Sequence, residues 1–191
     1  SSAGSGGVNG STGITKVASV KDVKAYNVGG GTLPTDSWTQ RDLQTLSDPS
    51  NIGVTVTENK IKVLAGTYSI RWVAPAYYVG KHVSKLEYST DATFATGVTS
   101  VQGSAEFSST DDPGDSNCQT TSTGFLASVT FSEQNYVRIL HWGTSEKTTN
   151  GLGVATGDTT AGDSVYTIVE IEDLATAVKE SSGTDGNTIS V

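Results

Sequence analysis

Along most of its length the chain consists of short runs whose apolar residues fall on alternate positions, each run cut off by Gly, Asn, Asp or Pro. Alternation suits a pleated strand with one buried face, and many short strands at regular spacing build a sandwich or a barrel. Residues 38–46 form one run. In residues 52–57, Ile52, Val54 and Val56 alternate before a Glu58-Asn59 turn that leads to Ile61 and Val63. After Gly66, Tyr68, Ile70 and Trp72 share a face, and Pro75 predicts that this strand ends at an edge or a bulge, because proline cannot donate to a ladder. Residues 81–89 and 97–107 follow, the latter poor in apolar side chains and expected at the periphery. Phe125, Ala127, Val129 and Phe131 share one face of the next run. The last, residues 165–174, has Val165, Thr167, Val169 and Ile171 on one face and Tyr166 and Ile168 on the other. The expected fold is all-β, with about eight to ten antiparallel strands.

Composition agrees. Hydrophobic residues are 35% and charged residues 17% of 191, against about 45–50% and 25% in average domains, and 22 glycines help to fill the difference. The charge-free, Gly/Ser-rich start cannot build a core, so residues 1–19 are expected to be a flexible arm, 20–174 the folded domain and 175–191 a polar tail. A net charge of -8 repels phosphate backbones and excludes a nucleic-acid partner. No apolar run approaches the ~18 residues of a membrane span, so membrane insertion is not expected. Cys118 stands alone and closes no intrachain disulfide.

The run 136–142 is apolar on both faces apart from Arg138 and His141. A strand apolar on both sides must be covered on both sides, which is awkward in a small sandwich. Self-association resolves the conflict. Phe131, Tyr136, Ile139, Trp142, Tyr166, Val169 and Ile171 are the candidate interface residues, and a charge at Ile139, Val169 or Ile171 is expected to abolish assembly or folding.

Particular residues then carry a family resemblance. Trp38-Thr39-Gln40-Arg41-Asp42-Leu43 is similar to the opening strand of bacteriophage fibre-head and virion knob domains. Leu64-Ala65-Gly66-Thr67-Tyr68, Ala74-Pro75-Ala76, Gly80-Lys81-His82 and Leu86 resemble its middle, and Asn150-Gly151-Leu152-Gly153-Val154-Ala155 with Val165-Tyr166-Thr167 its end. The match runs in order from Trp38 to Leu174. The resemblance implies a jelly roll of the tumour necrosis factor and complement globular-head type, assembled as a homotrimer on the exterior of a virion. It implies a non-enzymatic part beside other virion proteins such as a fibre shaft, baseplate or major capsid protein.

Possible sites are few. Thr110 to Asn117 gathers three carboxylates, the ligand type of hard cations, without the spacing of an EF-hand, and reads better as a solvated acidic turn. His82 and His141 are the only histidines and stand on different strands, too few for a zinc site. His141, in an apolar run, is expected to be a hydrogen-bonded interior or interface residue, and a buried neutral histidine would make a trimer pH-sensitive. Glu170 and Glu172 share a strand face, and without an opposing acid in a cleft they are a solvated face. No nucleophile elbow, P-loop or dinucleotide fingerprint is present, so no catalytic residue, metal ligand or cofactor is assigned. Tyr77, Tyr78, Lys81 and His82 cluster where a strand pair turns and are candidates for contact with a host-surface glycan or protein receptor, weighed against a purely packing role for the two tyrosines. Three functions are in view: a fibre or spike knob that binds the host, a capsid decoration protein tied down by its arm, and a cellular ligand or scaffold of the same fold.

Overall fold

A computed structural model describes residues 15–110 and 119–174. The acidic turn, Cys118, the arm up to residue 14 and the tail from residue 175 lie outside the described residues.

Among the described residues, eleven strands form two antiparallel sheets. In chain order they are β1 (Lys16–Lys24), β2 (Thr39–Gln40), β3 (Thr45–Ser47), β4 (Thr55–Thr57), β5 (Lys60–Val63), β6 (Gly66–Tyr77), β7 (Gly80–Ser89), β8 (Thr99–Ser108), β9 (Gln119–Phe131), β10 (Asn135–Gly143) and β11 (Ser164–Asp173). One sheet has the order β3-β1-β11-β6-β9; the other runs β4-β5-β10-β7-β8, with β2 paired to β10. The core lies between them. Val20, Ile70, Trp72, Val169 and Ile171 from the first sheet meet Ile61, Val63, Leu86, Val137 and Ile139 from the second. A smaller cluster of Leu33, Ala76, Val79 and Leu152 closes one end.

Several expectations are corrected. The first strand begins at Lys16, inside the segment expected to be an arm. Its inward residues are Ala18, Val20 and Asp22, so an alanine and an aspartate hide the alternation. Residues 38–46 are not one strand but supply β2 and β3 to opposite sheets. The strand holding Pro75 continues to Tyr77. Its pairing with β11 stops at Val73, and the Pro75 carbonyl on that flank accepts from Arg41 Nη1 at 2.8 Å. The nitrogen and carbonyl of one strand residue point to the same side, so the absent N–H costs no ladder bond.

The expected face of β9 also fails. Tyr68 pairs with Val129 but Ile70 with Leu126, which inserts one extra residue into β9. Such a bulge swaps the two faces of a strand. Leu126 and Val129 pack on the core, while Phe125 is turned out and 54% exposed.

Candidate functional site

The sequence calls for self-association because strands with two apolar faces need cover on both. The structure supplies most of that cover from within one chain. On the outward face of β10, Arg138 lies 4.1 Å from the Phe94 ring centre and is fixed by Glu87 Oε1 at 2.8 and 3.0 Å. Beside it Lys85 Nζ sits 4.2 Å over the Trp38 ring. Burial would raise the Glu87 carboxyl, but hydrogen bonds from Arg138, Lys85 and Ser100 hold it below its ordinary value. On β11, the Tyr166 hydroxyl donates to Val28 O at 2.6 Å, and Gly153 lies so close to the ring that a β-carbon there would collide with it.

The candidate interface residues are relocated accordingly. Ile139, Val169 and Ile171 are fully buried in the protomer core, and Phe131 and Tyr166 are nearly so. A side chain with no surface in the protomer has none to offer a partner, so charges at Ile139, Val169 or Ile171 would report on folding rather than assembly. Tyr136 and Trp142 are half-buried on the outer face of β10.

Among the described residues, nothing covers the outward face of the five-stranded sheet. Register places Lys21, Ile168, Val73 and Thr123 in one row across it, and Ser19, Glu170, Arg71 and Phe125 in the next. Arg71 lies 5.1 Å from the Phe125 ring centre and 3.9 Å from Glu170. A hollow of about 390 Å³ opens between Val73, Phe125 and Ile168. A second, of about 360 Å³, continues past Ile168 towards Val17 and Pro49. Glu170 is thus part of a solvated sheet face.

The receptor candidates separate. Tyr77 and Tyr78 pack edge to face at 4.6 Å, with Lys147 Nζ 5.9 and 5.4 Å from their ring centres. His82 points inward and is buried. Lys81 is exposed and lies across from Phe107, in a groove of about 390 Å³ whose walls are Phe107 and Trp142 and whose floor is Val83 and Ala105. Phe107 is 60% exposed. The groove joins three strands through the pairs Trp142 with Val83 and Val83 with Ala105.

This architecture has known counterparts. Murine APRIL superposes with a TM-score of 0.52 at 8% identity, covering 84% of this chain and 99% of that one. Eiger TNF from S. frugiperda gives 0.51 at 15% identity, with 84% and 93% covered. The chain is a tumour necrosis factor-like jelly roll. The fold is the one that the sequence resemblance implied. The vertex protein of PRD1 also superposes, with a TM-score of 0.41 at 11% identity over 83% of this chain and 96% of that one. No family model matches the sequence, and no curated protein matches it.

Inside the jelly roll, at the end where β6, β8 and β10 finish, lies a cluster that sequence reasoning missed. Arg41, just after β2, is fully buried. Its Nε donates to Thr167 Oγ1 and its Nη2 to Leu152 O at 2.7 Å. Nη1 reaches both Pro75 O and, at 3.0 Å, His141 Nδ1. His141 Nε2 then meets His82 Nδ1 at 2.9 Å, and His82 Nε2 meets Thr120 Oγ1 at 2.7 Å. Thr120 in turn donates to Phe107 O at 3.0 Å.

The direction of this chain follows from its first member. Guanidinium is a donor only, so His141 Nδ1 accepts and its proton sits on Nε2. His82 Nδ1 must then accept and carry its own proton on Nε2. Both rings are therefore neutral. Burial pushes the His82 ring down to about 4 and depresses His141 as well, and the Arg41 charge adds to both. Burial also lowers Arg41, to about 9, partly offset by Asp22 and Asp42; it remains charged at neutral pH. His141 is the hydrogen-bonded interior residue that its apolar run suggested.

Proposed function

We propose that this chain is a non-enzymatic bacteriophage virion protein, a homotrimeric knob at the tip of a fibre or spike that contacts the host surface. The family resemblance of the sequence and the jelly-roll fold support this reading. The observation that carries it is the open apolar strip of Val73, Ile168 and Phe125 on a sheet whose neighbouring faces are covered by the chain itself. A monomer gains nothing from such a strip, whereas an interface buries it in its centre and leaves Arg71, Glu170 and Lys21 at the rim.

Substituting Ile168→Asp tests the assembly. Ile168 is only half-buried in the protomer, so the variant should keep its thermal transition within a few degrees while sedimenting as a monomer. A wild-type monomer at micromolar concentration, or a variant that stays trimeric, overturns the assembly.

The groove between Phe107 and Trp142 is the contact surface for host glycan in this reading. Aromatic faces stack on the C–H faces of a pyranose, and the Lys81 ammonium beside them can donate to a hydroxyl. Each ring stack is worth about 1 kcal/mol. The double variant Phe107→Ala with Trp142→Ala should therefore bind purified host-surface polysaccharide at least roughly tenfold more weakly, as measured by calorimetry. Undiminished binding would remove the groove from the contact surface.

A second reading is favoured by one feature of the sequence. The stretch before Lys16 is rich in Gly and Ser and carries no charge, which suits an arm ordered by docking on a capsid. Copy number per purified virion separates the two: hundreds of copies mark a decoration protein, and a few dozen or fewer mark a fibre or spike.

A further inference from the structure

We propose that the buried chain Arg41, His141, His82 and Thr120 is an acid-operated latch, in which one proton taken up by the histidine pair undoes the junction of the two sheets at this end of the jelly roll. The chain spans the sandwich. Arg41 holds β6 through Pro75, β11 through Thr167 and the 151–153 segment through Leu152. His141, His82 and Thr120 carry the connection through β10 and β7 to β9, and Thr120 passes it to β8.

The latch follows from hydrogen-bond polarity. At neutral pH Arg41 Nη1, His141 Nε2, His82 Nε2 and Thr120 Oγ1 each donate to an acceptor along the chain. A proton added to His82 can go only on Nδ1, where it faces the N–H of His141 Nε2. His141 can escape by moving its own proton to Nδ1, but there it faces the N–H of Arg41 Nη1. The clash cannot be handed on further, because the guanidinium has no acceptor and does not deprotonate near neutrality. A fixed buried cation at one end thus makes the chain intolerant of a single extra proton. Two donors held face to face away from water cost far more than a lost hydrogen bond, and opening is the relief.

The surroundings do not cancel this. Glu106, opposite His82 on β8, favours the protonated ring, but desolvation outweighs it and Arg41 opposes it. On β9 the facing group is the neutral Thr120, and on β10 it is His141 itself. Asp22 and Asp42 act on Arg41 rather than on the rings. A released histidine binds a proton near 6.5, whereas the held His82 does so only at about 4. Between these values the open state holds more protons, so the closed state is fully favoured above about pH 6.5 and loses ground as pH falls towards 4.

Hydrogen exchange of the full chain, corrected for intrinsic rates, reads the latch directly. Between pH 7 and 4.5, opening at the amides around Phe107, Thr120 and Leu152 should increase on the order of 50-fold for one released histidine. Amides at the far end, around Val63 and Val137, should change much less. In the double variant His82→Asn with His141→Gln, which leaves no titrating ring in the chain, most of that local increase should vanish. Nitrogen shifts of the wild-type rings provide a check that needs no variant: at pH 7 both should be neutral with the proton on Nε2. Equal acid response at both ends, an increase that survives in the double variant, or a ring titrating near 6.5 with local protection intact would each overturn the latch.

Discussion

Replacing Arg41 by leucine should destabilise the protein by about 3–5 kcal/mol in urea denaturation at pH 7, a large share of what holds a domain together. The side chain is fully buried, yet none of its partners is a carboxylate. Thr167, Pro75 O, Leu152 O and His141 Nδ1 share its donors. A leucine fills part of the volume and satisfies none of these acceptors. Each acceptor left buried and unpaired costs about 1–3 kcal/mol, and relief from burying the charge returns part of the sum. Lysine should recover less than half of the loss, because one ammonium cannot reach acceptors spread over β6, β10, β11 and the 151–153 segment. Removing the cation also removes one of the causes that depress both histidines. In Arg41→Leu their titration should move up towards 6.5, so the variant is less stable at neutrality but relatively less sensitive to acid. A loss below about 1 kcal/mol would show that water or rearrangement serves those acceptors instead.

How far this was legible in the sequence depends on the range of the interaction. Alternation in Tyr68, Ile70 and Trp72 marked the inward face of β6 correctly, because sterics within one strand decide it. In β9 the same reasoning turned Phe125 inward, since a bulge depends on the partner strand and leaves no sign in the run itself. The apolar character of both faces of residues 136–142 is real, and part of the cover comes from within the chain. Trp38 and Phe94, carried by distant segments, lie against Lys85 and Arg138 on that side of the sheet. Trp38-Thr39-Gln40-Arg41 stands in the sequence as a signpost of the fold, with no hint that Arg41 is buried. Nothing local says that an arginine 100 residues from a histidine will share a hydrogen bond with it. The only available signal was the lone histidine in an apolar run, which must be hydrogen-bonded wherever it is buried.

Gly124→Ala should be as damaging as the loss of Arg41, for the opposite reason. Gly124 stands opposite Trp72 at the centre of the β6-β9 pair, and a β-carbon there would overlap Cζ2, Cη2 and Cε2 of the indole. The ring cannot move aside cheaply. Trp72 is buried among Ile70, Leu86 and Ile139 in the shared core, and its Nε1 donates to Ser84 Oγ at 2.9 Å. Ser84 Oγ is itself 2.7 Å from Ser122 Oγ, which reaches Ser104 O at 2.7 Å. Rotating the indole therefore breaks a buried polar chain across four strands, whereas moving the backbone breaks the ladder. Overpacking of a rigid core site costs about 1–3 kcal/mol, and a stranded indole N–H adds about 1–3 kcal/mol more. The expected loss is about 3–5 kcal/mol, visible as a fall in the urea midpoint and a shift of tryptophan emission in the folded state. The double variant Gly124→Ala with Trp72→Phe would discriminate between causes: the smaller ring makes room and needs no acceptor, so it should tolerate the methyl better than tryptophan does. If both backgrounds lose the same amount on adding the methyl, the cost lies in the backbone of β9 and not in the fit of glycine to indole.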